Sequence, residues 1–274
     1  MRKSRTFGMP RIRVRALNSV LAALVTTAFG ATDSAHAAPT AGVHYVALGD
    51  SYSAGGGSSS TYLNDCNQSV NSHPYLYAQL TAPDTFAFQA CGAAKSADVL
   101  DKQLTPLNGT TTLVSMTIGG NDIGLGTVMA TCLFGTDNAC LDAIATAETT
   151  AHAELPGKLG TLYDAIRTRA PQARVVILGY PRFYNLDVPF CPGISATKRT
   201  ALNNGADTLN SVIRDEVAQH SGFVYEDVAD RFAGHQLCDS SPWLHALNWP
   251  IGQSFHPNAA GQAGAYLPAL RASA

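Results

Sequence analysis

The sequence predicts an α/β domain built on a parallel sheet, and three observations carry that prediction. Short apolar runs at 43–48, 85–90, 113–118, 174–179 and 223–225 alternate with stretches of helical character. Val175 to Leu178 is apolar throughout, as a strand covered on both faces is. Three of the runs end in small or polar residues, at Ser51, Gly92 and Asn121. A parallel sheet brings such ends to one edge, where ligands sit in folds of this class.

Val43 to Leu48 reads as a buried strand stopped by Gly49-Asp50, with Ser51 and the glycines up to Gly57 behind it. Those residues would serve equally to cap a helix and turn the chain, so the other strand ends have to decide. Polar residues 58–71 read as a loop, and Pro74 to Leu80 as a short helix. Thr85 to Ala90 is a second strand ending at Cys91-Gly92, and Leu113 to Ile118 a third ending at Gly119-Gly120-Asn121-Asp122. Leu141 to Thr168 is helix-forming, with a break expected at Pro156-Gly157. Arg174 to Gly179 is the fourth strand. Ala196 to His220 is a long helix that aligns Leu202, Ala206, Leu209, Ile213 and Val217 on one face. Phe223 to Tyr225 is a fifth strand, 239–255 an aperiodic loop, and Asn258 to Leu270 a closing helix.

The first 37 residues have the features of a secretory signal. Six basic residues precede an apolar stretch from Val20 to Ala31, and Ala35-His36-Ala37 supplies a small-x-small cleavage pattern. We therefore expect export by the general secretory route, cleavage after Ala37, and one domain over 38–274. The leader holds six of the 18 basic residues and one of the 20 acidic ones. The remainder has 12 basic against 19 acidic side chains, a net charge of −7. Such a chain, with no Lys/Arg cluster, is a poor match for nucleic acid or anionic lipid. No stable membrane anchor is expected, since no stretch reaches the roughly 18 apolar residues of a spanning helix. Cys66, Cys91, Cys132, Cys140, Cys191 and Cys238 form an even set in an exported chain, which points to disulfides in one of 15 connectivities. No Cys-x-x-Cys or His-Glu-x-x-His supports a metal site, and no cofactor is expected.

A serine hydroxyl needs an adjacent base and a set of oxyanion donors to act as a nucleophile. Ser51 has that chemistry available at other strand ends: the Asn121 side-chain amide and backbone N–H groups at Ser51 and around Gly92-Ala93. Among eight histidines, His256 heads Ser254-Phe-His256-Pro257, which leads into the last helix, and Pro257 restricts the backbone there. His44, His152 and His220 read as solvated, whereas His73, His235 and His245 lie in loops and stay open as alternatives. The glycines fit neither G-x-x-x-x-G-K-S/T nor G-x-G-x-x-G, and no G-x-S-x-G is present, so nucleotide binding and the α/β-hydrolase elbow are both disfavoured.

In order, Gly49-Asp50-Ser51, the segment after Cys91, Gly119-Gly120-Asn121-Asp122 and Ser254-Phe-His256-Pro257 resemble the four blocks of the SGNH (GDSL) hydrolases. Tyr45 to Ser53, Thr117 to Gly124 and Leu178 to Phe183 are similar to the secreted actinobacterial lipases and esterases of that family. The resemblance implies a flavodoxin-like three-layer α/β/α fold with five parallel strands. It implies Ser51 as nucleophile, His256 as base, and an oxyanion hole from the Ser51 N–H, an N–H in block two and the Asn121 amide. It also implies the pairs Cys66–Cys91, Cys132–Cys140 and Cys191–Cys238. Block two has Ala93 where many relatives have glycine, so Gly92 and Ala93 are both retained as donors, with Ala93 preferred. The family's usual aspartate three residues before the histidine is Gln253 here. We expect the Gln253 carbonyl to orient His256, with its side chain and the Asp239 carboxylate as rivals. The expected activity is hydrolysis of small-molecule or lipid esters by a monomeric secreted enzyme. Phe134, Phe183, Tyr184, Phe190, Trp243 and Trp249 are candidate acyl-groove residues. Phospholipase A or acyltransferase chemistry at the same site is the alternative, as is a secreted, non-catalytic binding protein.

Overall fold

Five strands pair into one parallel sheet in the computed structural model, which describes residues 42–274. The expected leader and its cleavage point lie outside the described residues. The strands are β1 (His44–Gly49), β2 (Thr85–Phe88), β3 (Leu113–Thr117), β4 (Arg174–Leu178) and β5 (Phe223–Glu226), in the spatial order β2-β1-β3-β4-β5. Burial follows position. The inner strands β1, β3 and β4 are buried over nearly all their length, whereas the edge strands β2 and β5 are covered only in part. Polar groups in the interior are paired: Tyr45 and Ser115, both buried, join their hydroxyls at 2.6 Å.

After β1 the chain makes α1 (Ser51–Ala54) and α2 (His73–Thr81), and after β2 it makes α3 (Ser96–Asp98), which continues as a π-turn over Val99–Gln103. Between β3 and β4 come α4 (Leu125–Phe134), α5 (Asp137–Ala153) and α6 (Leu155–Arg169). α7 (Ala196–Val217) precedes β5, and the chain closes with α8 (Ala259–Gly261), a π-turn over Gln262–Tyr266 and α9 (Leu267–Ser273). α2 packs on α9, while α5, α6 and α7 pack on one another. Right-handed crossovers put these two groups on opposite faces of the sheet, which gives three layers.

Local chemistry explains most boundaries. α7 starts where Ser195 Oγ accepts the Lys198 N–H at 3.2 Å, and it buries the five apolar residues that its spacing predicts. The helical run expected from Leu141 instead begins at Asp137, where Thr136 caps α5, and is interrupted at Glu154. Pro156 then lies in the first turn of α6, where its missing N–H breaks no bond. α3 and α4 were not foreseen. His73, expected in a loop, is the buried first residue of α2.

The structure joins Cys66 to Cys91, Cys132 to Cys140 and Cys191 to Cys238. β1 and β3 end side by side, Gly49 opposite Thr117. The chain leaves β1 towards β2 on one side and later enters β3 on the other, so the crevice of a switch point opens just beyond Gly49. Gly49 has a φ of +119°, and an added Cβ would lie 2.4 Å from the Thr117 carbonyl oxygen. Only glycine lets the chain turn into α1 so close to β3.

Candidate active site

Ser51 is the first residue of α1, directly after Asp50, which caps the helix by accepting the Tyr52 N–H at 3.0 Å. Asp50 is buried and also accepts the hydroxyls of Thr117, at 2.7 Å, and Tyr180. Burial pushes its carboxyl up to about 6, against the pull of these hydrogen bonds. Three donors from β3, the β4 end and α1 thus converge on the residue before Ser51 and fix the turn. The sequence reading gave no part to Thr117 or Tyr180.

His256 Nε2 stands 2.7 Å from Ser51 Oγ, across 205 positions of sequence. Its Nδ1 is 3.0 Å from the Ser254 carbonyl oxygen. A carbonyl can only accept, so Nδ1 carries the proton, and Nε2 is left with a lone pair for the serine hydroxyl. The acceptor facing Nδ1 is thus the Ser254 carbonyl and not, as expected, that of Gln253, although the Gln253 carbonyl also favours the charged ring. The Gln253 carbonyl accepts the backbone N–H of His256 at 3.2 Å, in the turn that follows Ile251–Gln253, and the ring nitrogen goes to Ser254. The reason is local geometry: Phe255 adopts a φ of +64°, and Tyr52 OH holds the Phe255 carbonyl at 2.7 Å. The Gln253 side chain bonds to Asn248 and the Ser59 carbonyl. Asp239 accepts from Asn185 and from the Gln236 N–H, so it is no partner of the imidazole either.

Burial lowers the His256 pKa to about 4; the Ser254 carbonyl and, less strongly, the Gln253 carbonyl oppose that shift, and the neighbouring His245 adds to it. The ring is neutral at pH 7. Gly57, at φ +82°, has no room for a side chain, since a Cβ would sit 2.9 Å from that of His256. Its carbonyl accepts from His245 Nε2 at 2.7 Å, which locks the loop carrying the glycines against the histidine segment.

Gly92, Ala93 and Asn121, the oxyanion candidates besides Ser51, line the same cleft as Ser51 and His256. The Ser51 and Ala93 N–H groups donate to no other described residue. Gly92 does not compete with Ala93, because its N–H is committed to the Cys66 carbonyl at 2.9 Å. Ala93 has a φ of +61°, a left-handed conformation that costs an alanine about 1–2 kcal/mol yet leaves its N–H free. Asn121 gives one amide hydrogen to the Ala94 carbonyl at 3.0 Å and retains a second. Asp122 grips the Ser96 N–H and hydroxyl at 3.0 and 2.6 Å, so the β2 and β3 ends are tied to each other.

The cleft has a volume of about 580 Å³ and an apolar wall that includes Leu125, Met129, Leu133 and Phe134 of α4, with Leu247 and Ile251 opposite. Of the six aromatic residues named as groove candidates, Phe134 and Phe183 line it. Tyr184 is buried in the core, Trp243 packs against it, and Phe190 and Trp249 are exposed outside the lining. His73 stacks on Tyr266 and bonds Gln262, and His235 stacks on Trp243, so neither reaches Ser51. Among the described residues no group of three His, Cys, Asp or Glu side chains is placed to hold a metal ion.

Residues 47–263 match the GDSL-like Lipase/Acylhydrolase family. A lipase of Streptomyces coelicolor, Lipase 1, is 49% identical over 94% of this chain and 97% of its own length. The extracellular lipase of Streptomyces rimosus superposes with a TM-score of 0.82 at 47% identity, over 85% of this chain and all of that one. The phospholipase A1 of Streptomyces albidoflavus superposes with a TM-score of 0.83 at 46% identity and the same coverage.

Proposed function

Given that the chain belongs to the GDSL-like lipase/acylhydrolase family and is a carboxylic ester hydrolase, we propose that it is secreted and cleaves lipid esters through an acyl-enzyme on Ser51. Residues 38–274 act as one hydrolase domain. The observation that carries this reading is the chain of two hydrogen bonds from Ser51 Oγ to His256 Nε2 and from Nδ1 to the Ser254 carbonyl.

His256 takes the Ser51 proton as Oγ attacks the ester carbonyl carbon. The oxygen that becomes negative is met by the Ser51 N–H, the Ala93 N–H and the second Asn121 amide hydrogen. The imidazolium passes its proton to the departing alcohol, and the tetrahedral carbon collapses to the acyl-enzyme. Water, deprotonated by the same imidazole, then attacks the acyl carbon, and the imidazolium returns that proton to Ser51 Oγ as the serine leaves and the acid is released. The Ser254 carbonyl holds the tautomer throughout, but it carries no full charge to stabilise the imidazolium. The apolar wall of α4 suits an acyl chain.

A second reading, hydrolysis of phospholipid at the same site, is favoured by the similarity to the phospholipase A1 of Streptomyces albidoflavus. The test is a p-nitrophenyl ester series from acetyl to palmitoyl run beside phosphatidylcholine. We expect turnover on the series and its loss in Ser51→Ala. Undiminished turnover in that variant would overturn the site assignment, and phosphatidylcholine turnover would establish the second reading.

A further inference from the structure

The cleft opens between two rims that carry no charged side chain. Residues 123–136, which include α4, contain no Asp, Glu, Lys or Arg, and neither do residues 240–258 opposite. Both rims nevertheless hold large apolar side chains in water. Phe134 is 72% exposed, Leu247 51%, Trp249 85% and Ile251 56%. Single exposed apolar residues are ordinary, but a cluster at the mouth of a site marks an interaction surface. Phe134, Leu247 and Ile251 also line the cleft, so its apolar wall continues outward past the mouth.

The 248–254 tip is held in shape from within. The Asn248 N–H donates to Ser254 Oγ at 2.9 Å, its side-chain amide donates to Gln253 Oε1 at 3.0 Å, and the Gln253 N–H closes on the Pro250 carbonyl at 2.9 Å. Gln253 Nε2 reaches across to the Ser59 carbonyl at 3.2 Å. These bonds present Trp249 outward on a braced loop, and nothing among the described residues covers it.

We propose that this rim is an adsorption surface for uncharged or zwitterionic ester-lipid aggregates, with Trp249 as the outer anchor. The proposal rests on the ester-hydrolase reading, because the occupant is the phase from which the cleft would draw its substrate. An indole suits the headgroup level of such a surface, with its ring in the apolar layer and its N–H near water. Charge argues in the same direction. With no Lys or Arg on either rim, and 12 basic against 19 acidic residues over 42–274, an anionic surface gains nothing here.

Adsorption is best read on Ser51→Ala protein, which keeps the surface and removes the nucleophile. Phosphatidylcholine vesicles should shift its tryptophan emission to the blue and carry it down on sedimentation, with little change as salt is raised. Adding Trp249→Ala should lower partitioning about tenfold or more, and Trp249→Phe should restore most of it. With Ser51 intact, Trp249→Ala should cleave a dissolved p-nitrophenyl acetate as fast as the wild-type chain while slowing on vesicles. Three results would overturn the proposal: equal partitioning of Trp249→Ala, adsorption to anionic vesicles alone, or a blue shift from self-association without lipid. Failure of the Ser51-intact protein on the dissolved ester would instead refute the reaction, since adsorption is scored without turnover.

Discussion

His256 leans on a carbonyl where the family usually has a carboxylate, so no full negative charge opposes the effect of burial on its basicity. A carboxylate would raise the imidazole pKa, whereas the Ser254 carbonyl only partly offsets burial, which holds it at about 4. The proposed reaction needs this ring neutral in the free enzyme, so activity should be lost as pH falls through its folded pKa. The acid limb of kcat/KM should accordingly lie near pH 4, and a limb near the ordinary histidine value of about 6.5 would contradict the assigned environment. Ser51, Asn121 and His256 are legible in the sequence as candidates because in the proposed reaction each works through its side chain, within a recognisable block. Ser254 is not, since any residue offers a carbonyl and its aim depends on the left-handed Phe255. The same holds for block two. There the choice between Gly92 and Ala93 turned on which N–H was already taken by Cys66, a fact of pairing rather than of residue type.

At the scale of elements, the Cys66–Cys91 link fastens the loop after Ser51 to the turn that presents Ala93. Its two ends are 25 residues apart, and closing a loop of that size in the unfolded chain contributes about 3.5 kcal/mol. Replacing both cysteines by alanine should lower stability by about that amount in urea unfolding. It should also depress kcat more than KM is raised, because the Ala93 donor loses its support. An unchanged kcat would show that Ala93 does not depend on this link. Strands and the long α7 were legible from apolar spacing, since β1, β3, β4 and the α7 face are covered by their neighbours. α4 is not legible in the sequence because Gly124, the residue before it, offers no side-chain cap, and its apolar residues face both core and cleft, which blurs the periodicity.

For the molecule as a whole, the order β2-β1-β3-β4-β5 converts distant sequence blocks into neighbours at one crevice. The run of alternating elements was enough to indicate a parallel sheet, and the resemblance implied its flavodoxin-like form. What the sequence left open was how the C-terminal segment is anchored. In the structure Gln262 accepts from the backbone and ring of buried His73 at 2.9 and 2.8 Å and donates to the Tyr52 carbonyl at 2.9 Å. α2, the Ser51 turn and the last helical segment are thereby joined. Burial lowers the His73 pKa to about 4, below an unfolded value of about 6.5. The unfolded chain therefore takes up the proton first, and stability falls as pH drops from about 6.5 to 4, by up to about 3 kcal/mol from this residue. Asp50, raised to about 6, works in the opposite sense: its burdened carboxylate is relieved on protonation, so stability is recovered over part of that range. His73→Asn, which retains a donor for Gln262, should flatten the acid dependence of Tm relative to the wild-type chain. An unaltered dependence would exclude His73 as its source.

The central claim is that Ser51 becomes a nucleophile because His256 accepts its proton. Site-mapped mass spectrometry after treatment with a fluorophosphonate measures this directly. The account predicts one adduct, on Ser51, with no adduct in Ser51→Ala and labelling slowed by orders of magnitude in folded His256→Ala. An adduct on another residue, or labelling at an undiminished rate without the imidazole, would contradict it.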